Sequence, residues 1–108
     1  MSKYIVVSSE LVQYIDKIVK AYSDRKVVIT TLTFSKVLKK GIVNPSYLLD
    51  QNVWVRAYSH KPVKIGGLDE ADSESVLVAQ ELSAELLTND EKIEKVAKEL
   101  GVTVLHFP

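Results

Sequence analysis

Two hydrophobic periods alternate along the chain. The runs KYIVV (residues 3–7) and KVVIT (residues 26–30) are short and β-branched, and predict buried strands. Between them Leu11, Ile15, Ile18, Val19 and Tyr22 recur at helical spacing behind a capping Ser8 or Ser9, and Ser23-Asp24-Arg25 is a polar turn. Thr33 as a cap predicts a short helix over residues 34–40, with Val37 and Leu38 inward and Gly41 as its stop. Asn44-Pro45 is a helix-start pair. Residues 46–58 read two ways, because Val53, Val55 and Ala57 alternate with Trp54, Arg56 and Tyr58; a helix is the favoured reading. KPVKI (residues 61–65) predicts a short strand with Pro62 at its start or on an edge.

The second half repeats the alternation. Residues 73–83 have a helical pattern, and Leu86-Leu87-Thr88 ends a strand. Residues 89–100 form another helix with Ile93, Val96, Ala97 and Leu100 on its buried face. Gly101 closes that helix, and residues 102–107 make a last strand. Helices alternating with short apolar runs pack over a parallel sheet. The expected fold is one domain spanning residues 1–108, a three-layer α/β/α arrangement around four or five parallel strands.

Composition narrows the chemistry. Lysine plus arginine and aspartate plus glutamate balance at 14 each, so overall charge gives no argument for a polyanionic partner. There is no cysteine, which removes disulfides and thiol chemistry and makes a cytoplasmic location the default. The first residues lack the apolar core of a signal peptide, and no run is long enough to span a bilayer, so no membrane partner is expected. Walker-type phosphate loops, G-x-G-x-x-G and G-x-S-x-G are absent. His60 and His106 lie far apart and read as surface imidazoles.

Carboxylates at helix starts are the remaining candidates. Asp72 and Asp90 open helices next to strands, and such junctions line the crevice of an open parallel sheet. Hard divalent cations take one or two carboxylates plus water and substrate phosphate. Capping explains the same residues more simply: Asp72 suits an N-cap, and Thr88 with Glu91 has capping-box spacing.

LLTND followed by EKIEKVAKELGVTVL resembles the C-terminal half of PIN domains, and ADSESVLVAQEL resembles their segment in which an acid opens a helix. IVVSSELV is similar to the family's first strand, which normally ends in an aspartate. ITTLTFSKVLKKG is similar to its second-helix segment, which normally carries a glutamate. The resemblance implies a metal-dependent ribonuclease ancestry, shared with toxins of toxin–antitoxin pairs, and an active site of about four acids around Mg²⁺ or Mn²⁺. Two of those positions match, at Asp72 and Asp90. The other two fall on Ser8 and Lys36. The nominal pocket charge drops from about −4 to about −1, and dication binding depends on that charge. Lys36 would stand in for a metal by pairing with Asp72 or Asp90, and Glu10 is a candidate rescue ligand.

The expectation is therefore a PIN-like domain with an incomplete acidic site, catalytically weak or inactive, binding no metal and acting through RNA or protein. The alternative is an active, divergent Mg²⁺- or Mn²⁺-dependent endoribonuclease using Asp72, Asp90 and Glu10. Lys36, Lys39 and Lys40 form one basic cluster. Arg56, His60, Lys61 and Lys64 form another near Trp54 and Tyr58, and Arg56, Lys61 and Lys64 are the RNA-binding candidates. A protein partner such as an antitoxin is the other expectation. A homodimer would pair through the apolar tail at residues 102–107.

Overall fold

In the computed structural model, which describes residues 3–61 and 63–108, the β-branched runs do form strands. β1 is Tyr4–Val7 and β2 is Lys26–Thr30. They belong to a five-stranded sheet in the order β3-β2-β1-β4-β5, in which every pairing is parallel. β3 is Trp54–Arg56, β4 is Glu85–Leu87 and β5 is Val104–Leu105.

Because strand side chains alternate between faces, the central strands supply two cores. Val6, Val28 and Leu86 point to one face, where they meet α4 (Glu70–Glu81) and α5 (Glu91–Glu99) through Val76, Ala79, Ile93 and Ala97. Ile5, Val7, Val27, Ile29 and Leu87 point to the other. That face is covered by the 3-10 helix Ser9–Tyr14, α1 (Ile15–Ala21), α2 (Thr31–Lys39) and α3 (Pro45–Asp50), through Leu11, Ile15, Ile18, Val37 and Leu48. This is the three-layer arrangement expected from the pattern. No described helix is long and apolar enough to cross a membrane.

Several boundaries differ from the sequence reading. Residues 46–58 are not one helix: α3 stops at Asp50, Asn52 takes φ +61, and β3 follows. The alternation around Val55 is therefore a strand signal, and six helical residues behind the Asn44 cap absorb the rest. Lys61, Val63, Lys64 and Ile65 carry no strand, and Pro62 lies outside the described residues. Thr30, not Thr33, caps α2, accepting from the Thr33 amide at 3.3 Å. The first helix begins as a tight 3-10 turn before its α-helical part, while keeping the expected Leu11–Ile15–Ile18 stripe buried. Leu100 is half exposed, because α5 ends one residue before it.

Candidate acidic pocket at the switch point

From β1 the chain runs outward through β2 and β3, then returns to place β4 on the other side of β1. The carboxyl ends of β1 and β4 thus flank the point where strand order reverses, the usual position of a crevice in such sheets. Ser8, Ser9 and Glu10 follow β1, and Thr88, Asn89 and Asp90 follow β4. A cavity of about 160 Å³ opens there, lined by Glu10, Lys36, Asp72 and Asp90 among others. The four candidate residues, drawn from separate stretches of sequence, meet in one place.

Their hydrogen bonds give them different roles. Asp90 is the N-cap of α5: its Oδ1 accepts from the amides of Lys92 at 2.8 Å and Ile93 at 3.1 Å. The cap thus sits at Asp90 rather than at Thr88, whose hydroxyl oxygen instead accepts from the Asp90 amide at 3.2 Å. Glu10 is a tie between the two strand ends. Its carboxylate accepts from the Ser8 hydroxyl, from the Thr88 hydroxyl at 3.2 Å and from the Asn89 amide at 3.1 Å. Ser8 is fully buried, so its hydroxyl requires that partner.

Lys36 reaches from α2 toward the start of α4. Its ammonium lies 2.7 Å from Asp69 Oδ2 and 3.6 Å from Asp72 Oδ2, and donates to the Ser9 hydroxyl at 3.2 Å. Ser9 in turn donates to Asp72 Oδ1 at 2.9 Å. The cation thus holds Asp72 both directly and through a hydroxyl. It pairs with Asp69 and Asp72 and makes no ion pair with Asp90.

Asp69 carries the role expected of Asp72. Its Oδ1 accepts from the Asp72 amide at 2.8 Å and caps α4, which begins three residues earlier than the apolar pattern indicates. Asp72 sits inside the first turn, where the helix dipole favours its charge. Periodicity does not point to Asp69, because the visible pattern runs from Ser73 to Ser83, although an aspartate behind Gly66-Gly67 is itself a start signal.

Electrostatics separate the two acids. Partial burial works against the Lys36 ammonium, but the hydrogen bond to Asp69 and the charges of Asp72 and Asp69 outweigh it and hold Lys36 above its ordinary value. Burial likewise raises Asp69, yet the hydrogen bonds from Lys36 and from the Asp72 amide bring it below the usual carboxylate range. Asp72 is the more enclosed acid. Desolvation pushes it up, and neither the Ser9 hydroxyl nor Lys36 compensates fully, while the Asp69 and Glu10 charges add to the rise. The ammonium's shortest contact is to Asp69, so most of its benefit goes there.

Of the lining groups, Glu10, Asp72 and Asp90 face Lys36 and Lys40, a formal charge of −1. Among the described residues no three acids or histidines are arranged to hold one ion. The basic-aromatic segment is divided. Lys64 lies beside the α2 lysines, at a second cavity that neither Arg56 nor Lys61 lines. Trp54 and Arg56 stand on the exposed edge strand β3, with the Lys26 ammonium 4.6 Å from the Trp54 ring centre.

Among solved structures, a PilT N-terminus domain protein from the hyperthermophilic archaeon Sulfolobus solfataricus P2 matches with a TM-score of 0.85. The two are 39% identical, over 95% of this chain and 86% of that one. A domain of a functionally unknown protein from Methanocaldococcus jannaschii DSM 2661 matches with a TM-score of 0.70 at 20% identity, over 99% of this chain and 92% of that one. No family model matches the chain, and no curated protein does.

Proposed function

The chain belongs to the PilT N-terminus (PIN) domain family, and on that premise we propose a divergent member whose acidic pocket is closed by Lys36 in place of a divalent cation. It cleaves RNA weakly or not at all and acts by binding, with RNA favoured over a protein ligand. The observation that carries this reading is the Lys36 ammonium, 2.7 Å from Asp69 and 3.6 Å from Asp72.

The donor set does not fit Mg²⁺ or Mn²⁺. A dication needs at least one or two carboxylates with oxygens free to ligate and a net negative pocket to hold its charge. Here Asp72 is engaged by Ser9 and Lys36, Glu10 by three donors, and Asp90 Oδ1 by two helix amides. The ammonium would also have to leave, since a dication bound at Asp72 beside it would lie against a like charge with little water between them. No hydrolytic step is therefore assigned to these residues.

A second reading has one observation in its favour. Asp72, Asp90 and Glu10 line the same cavity, and a divergent nuclease would use those three. Calorimetric titration with Mn²⁺ separates the two. The expected result is no binding by the wild type at millimolar metal, and binding by Ser8→Asp/Lys36→Glu, which replaces the cation and restores acids at both departures. Position 8 is fully buried. The double variant should therefore be less stable without metal, and its melting temperature should rise with Mn²⁺ concentration. Wild-type binding at millimolar or tighter affinity that Asp90→Asn abolishes would overturn the proposal in favour of the active enzyme.

A further inference from the structure

A second, larger cavity of about 380 Å³ adjoins the acidic one and shares Lys36 and Lys40 with it. Its wall combines one face of α2 from Leu32 to its C-terminal end, the loop at Lys64 and the start of α4. Four lysines, Lys36, Lys39, Lys40 and Lys64, face two carboxylates there, a surplus of two positive charges in a chain of zero net charge. Lys36 and Asp69 neutralise each other through their ion pair. Lys39, Lys40 and Lys64 make no ion pair among the described residues, so these three present their charge to solvent.

Basic residues in a last helical turn are favoured by the helix dipole, which accounts for Lys39 and Lys40. It does not account for Lys64, which arrives from a different segment and converges on them. In sequence Lys64 groups with Arg56 and Lys61; in space it joins α2.

We propose that this cavity is a phosphate-backbone subsite for single-stranded RNA, with Lys39, Lys40 and Lys64 as its phosphate contacts. It rests on the RNA-binding reading above and adds the place and the groups. Lysine is a flexible point charge with rotatable donors, suited to successive phosphates whose exact orientation varies. The apolar lining at Leu32 and Ala71 offers a surface for a sugar or base edge. The competing ligand, an acidic peptide, is characteristically held by arginine clusters, and among the described residues no arginine lines this cavity. Because Lys36 lines both cavities, a strand held here passes alongside the acidic pocket without a metal holding it.

Fluorescence anisotropy with a labelled oligouridine of about ten nucleotides, in EDTA, tests this. Three contacts on a single strand give a log–log salt slope of about −2, or roughly twentyfold weaker binding between about 50 and 200 mM salt. Lys39→Glu/Lys64→Glu should weaken binding at low salt by more than about tenfold and cut the slope to about −0.7, because one contact remains. Both side chains are exposed, and an unchanged melting temperature would verify the fold. Arg56→Glu/Lys61→Glu should change affinity by less than about twofold. Binding lost in that second variant and kept in the first overturns the subsite and leaves RNA binding in place. No binding by the wild type at low salt overturns both. Oligoglutamate held as tightly as oligouridine overturns the RNA assignment.

Discussion

Asp69 and Asp72 stand three residues apart and share one cation, yet their environments set them on opposite courses. Asp69 is half exposed, caps a helix and makes the short contact to Lys36; its carboxyl titrates below the usual range. Its ionised form therefore stabilises the fold at every pH above the unfolded value near 3.8, and that contribution disappears as pH falls through the lower folded value. Asp72 is raised, so its ionised form costs stability, and the fold loses stability as pH climbs through the interval above 3.8. Asparagine caps as well as aspartate, so Asp69→Asn keeps the cap while removing the ion pair and the hydrogen bond from Lys36. It should lose about 0.5 kcal/mol at neutral pH, solvent screening included, and the gap to wild type should close at low pH. Asp72→Asn should behave oppositely, equal to or more stable than wild type at neutral pH and converging with it in acid. Urea denaturation at a series of pH values reads both.

At the scale of elements, the approach to α4 depends on a turn that packs against α5. Gly66 has φ +57, and a Cβ there would fall 2.3 Å from Val96 Cγ2. Val96 is buried in the core between α5 and the sheet. Gly66→Ala should therefore cost about 2–4 kcal/mol, combining left-handed strain with overpacking. Val96→Ala in the same chain should return part of that loss by making room, a non-additive pair in a double-mutant cycle. Gly41 is the control. It has φ +65, and a Cβ there would meet nothing within 4 Å, so Gly41→Ala should cost only the backbone term of about 1–2 kcal/mol. Val96→Asp, which buries an unpaired charge, should unfold the domain outright. Glu74 is a second link between elements. Almost fully buried on α4, it accepts from the Leu32 amide at 2.9 Å and from the Thr31 hydroxyl at 3.1 Å, and so fastens the start of α2 to α4.

For the molecule as a whole, stability should grade outward from β1. That strand is paired on both sides, and Ile5, Val6 and Val7 are fully buried. β3 pairs on one side and is exposed along its length, and β5 forms a two-residue edge. Asn89 holds the chain just beyond β5, donating to the Phe107 carbonyl at 2.7 Å and accepting from its amide at 2.9 Å. Native-state hydrogen exchange should find the slowest amides in β1 and its neighbours, and the fastest strand amides in β3. Uniform protection across all five strands would contradict that gradient.

The layers of this fold are legible in the chain because burial on both sheet faces forces continuous apolar runs, and helices over a sheet need stripes. KYIVV, KVVIT and the Ile93–Val96–Ala97 face carry those signatures, and each lies where its pattern puts it. Short elements are less legible: β3 is three residues long and exposed, so no buried run announces it and a nearby cap draws the reading toward helix. The acids and the lysine of the pocket are also readable as residues, since Asp72, Asp90, Glu10 and Lys36 all reach one cavity. Their partners are decided by tertiary structure. That Lys36 pairs with Asp69, that Glu10 ties Ser8 to Thr88, and that Lys64 joins Lys39 and Lys40 are contacts between segments far apart in sequence. A chain's periodicity encodes which face is buried. Which charges meet across that face depends on the order in which the strands are laid side by side, and here it is the return of β4 to β1 that brings them together.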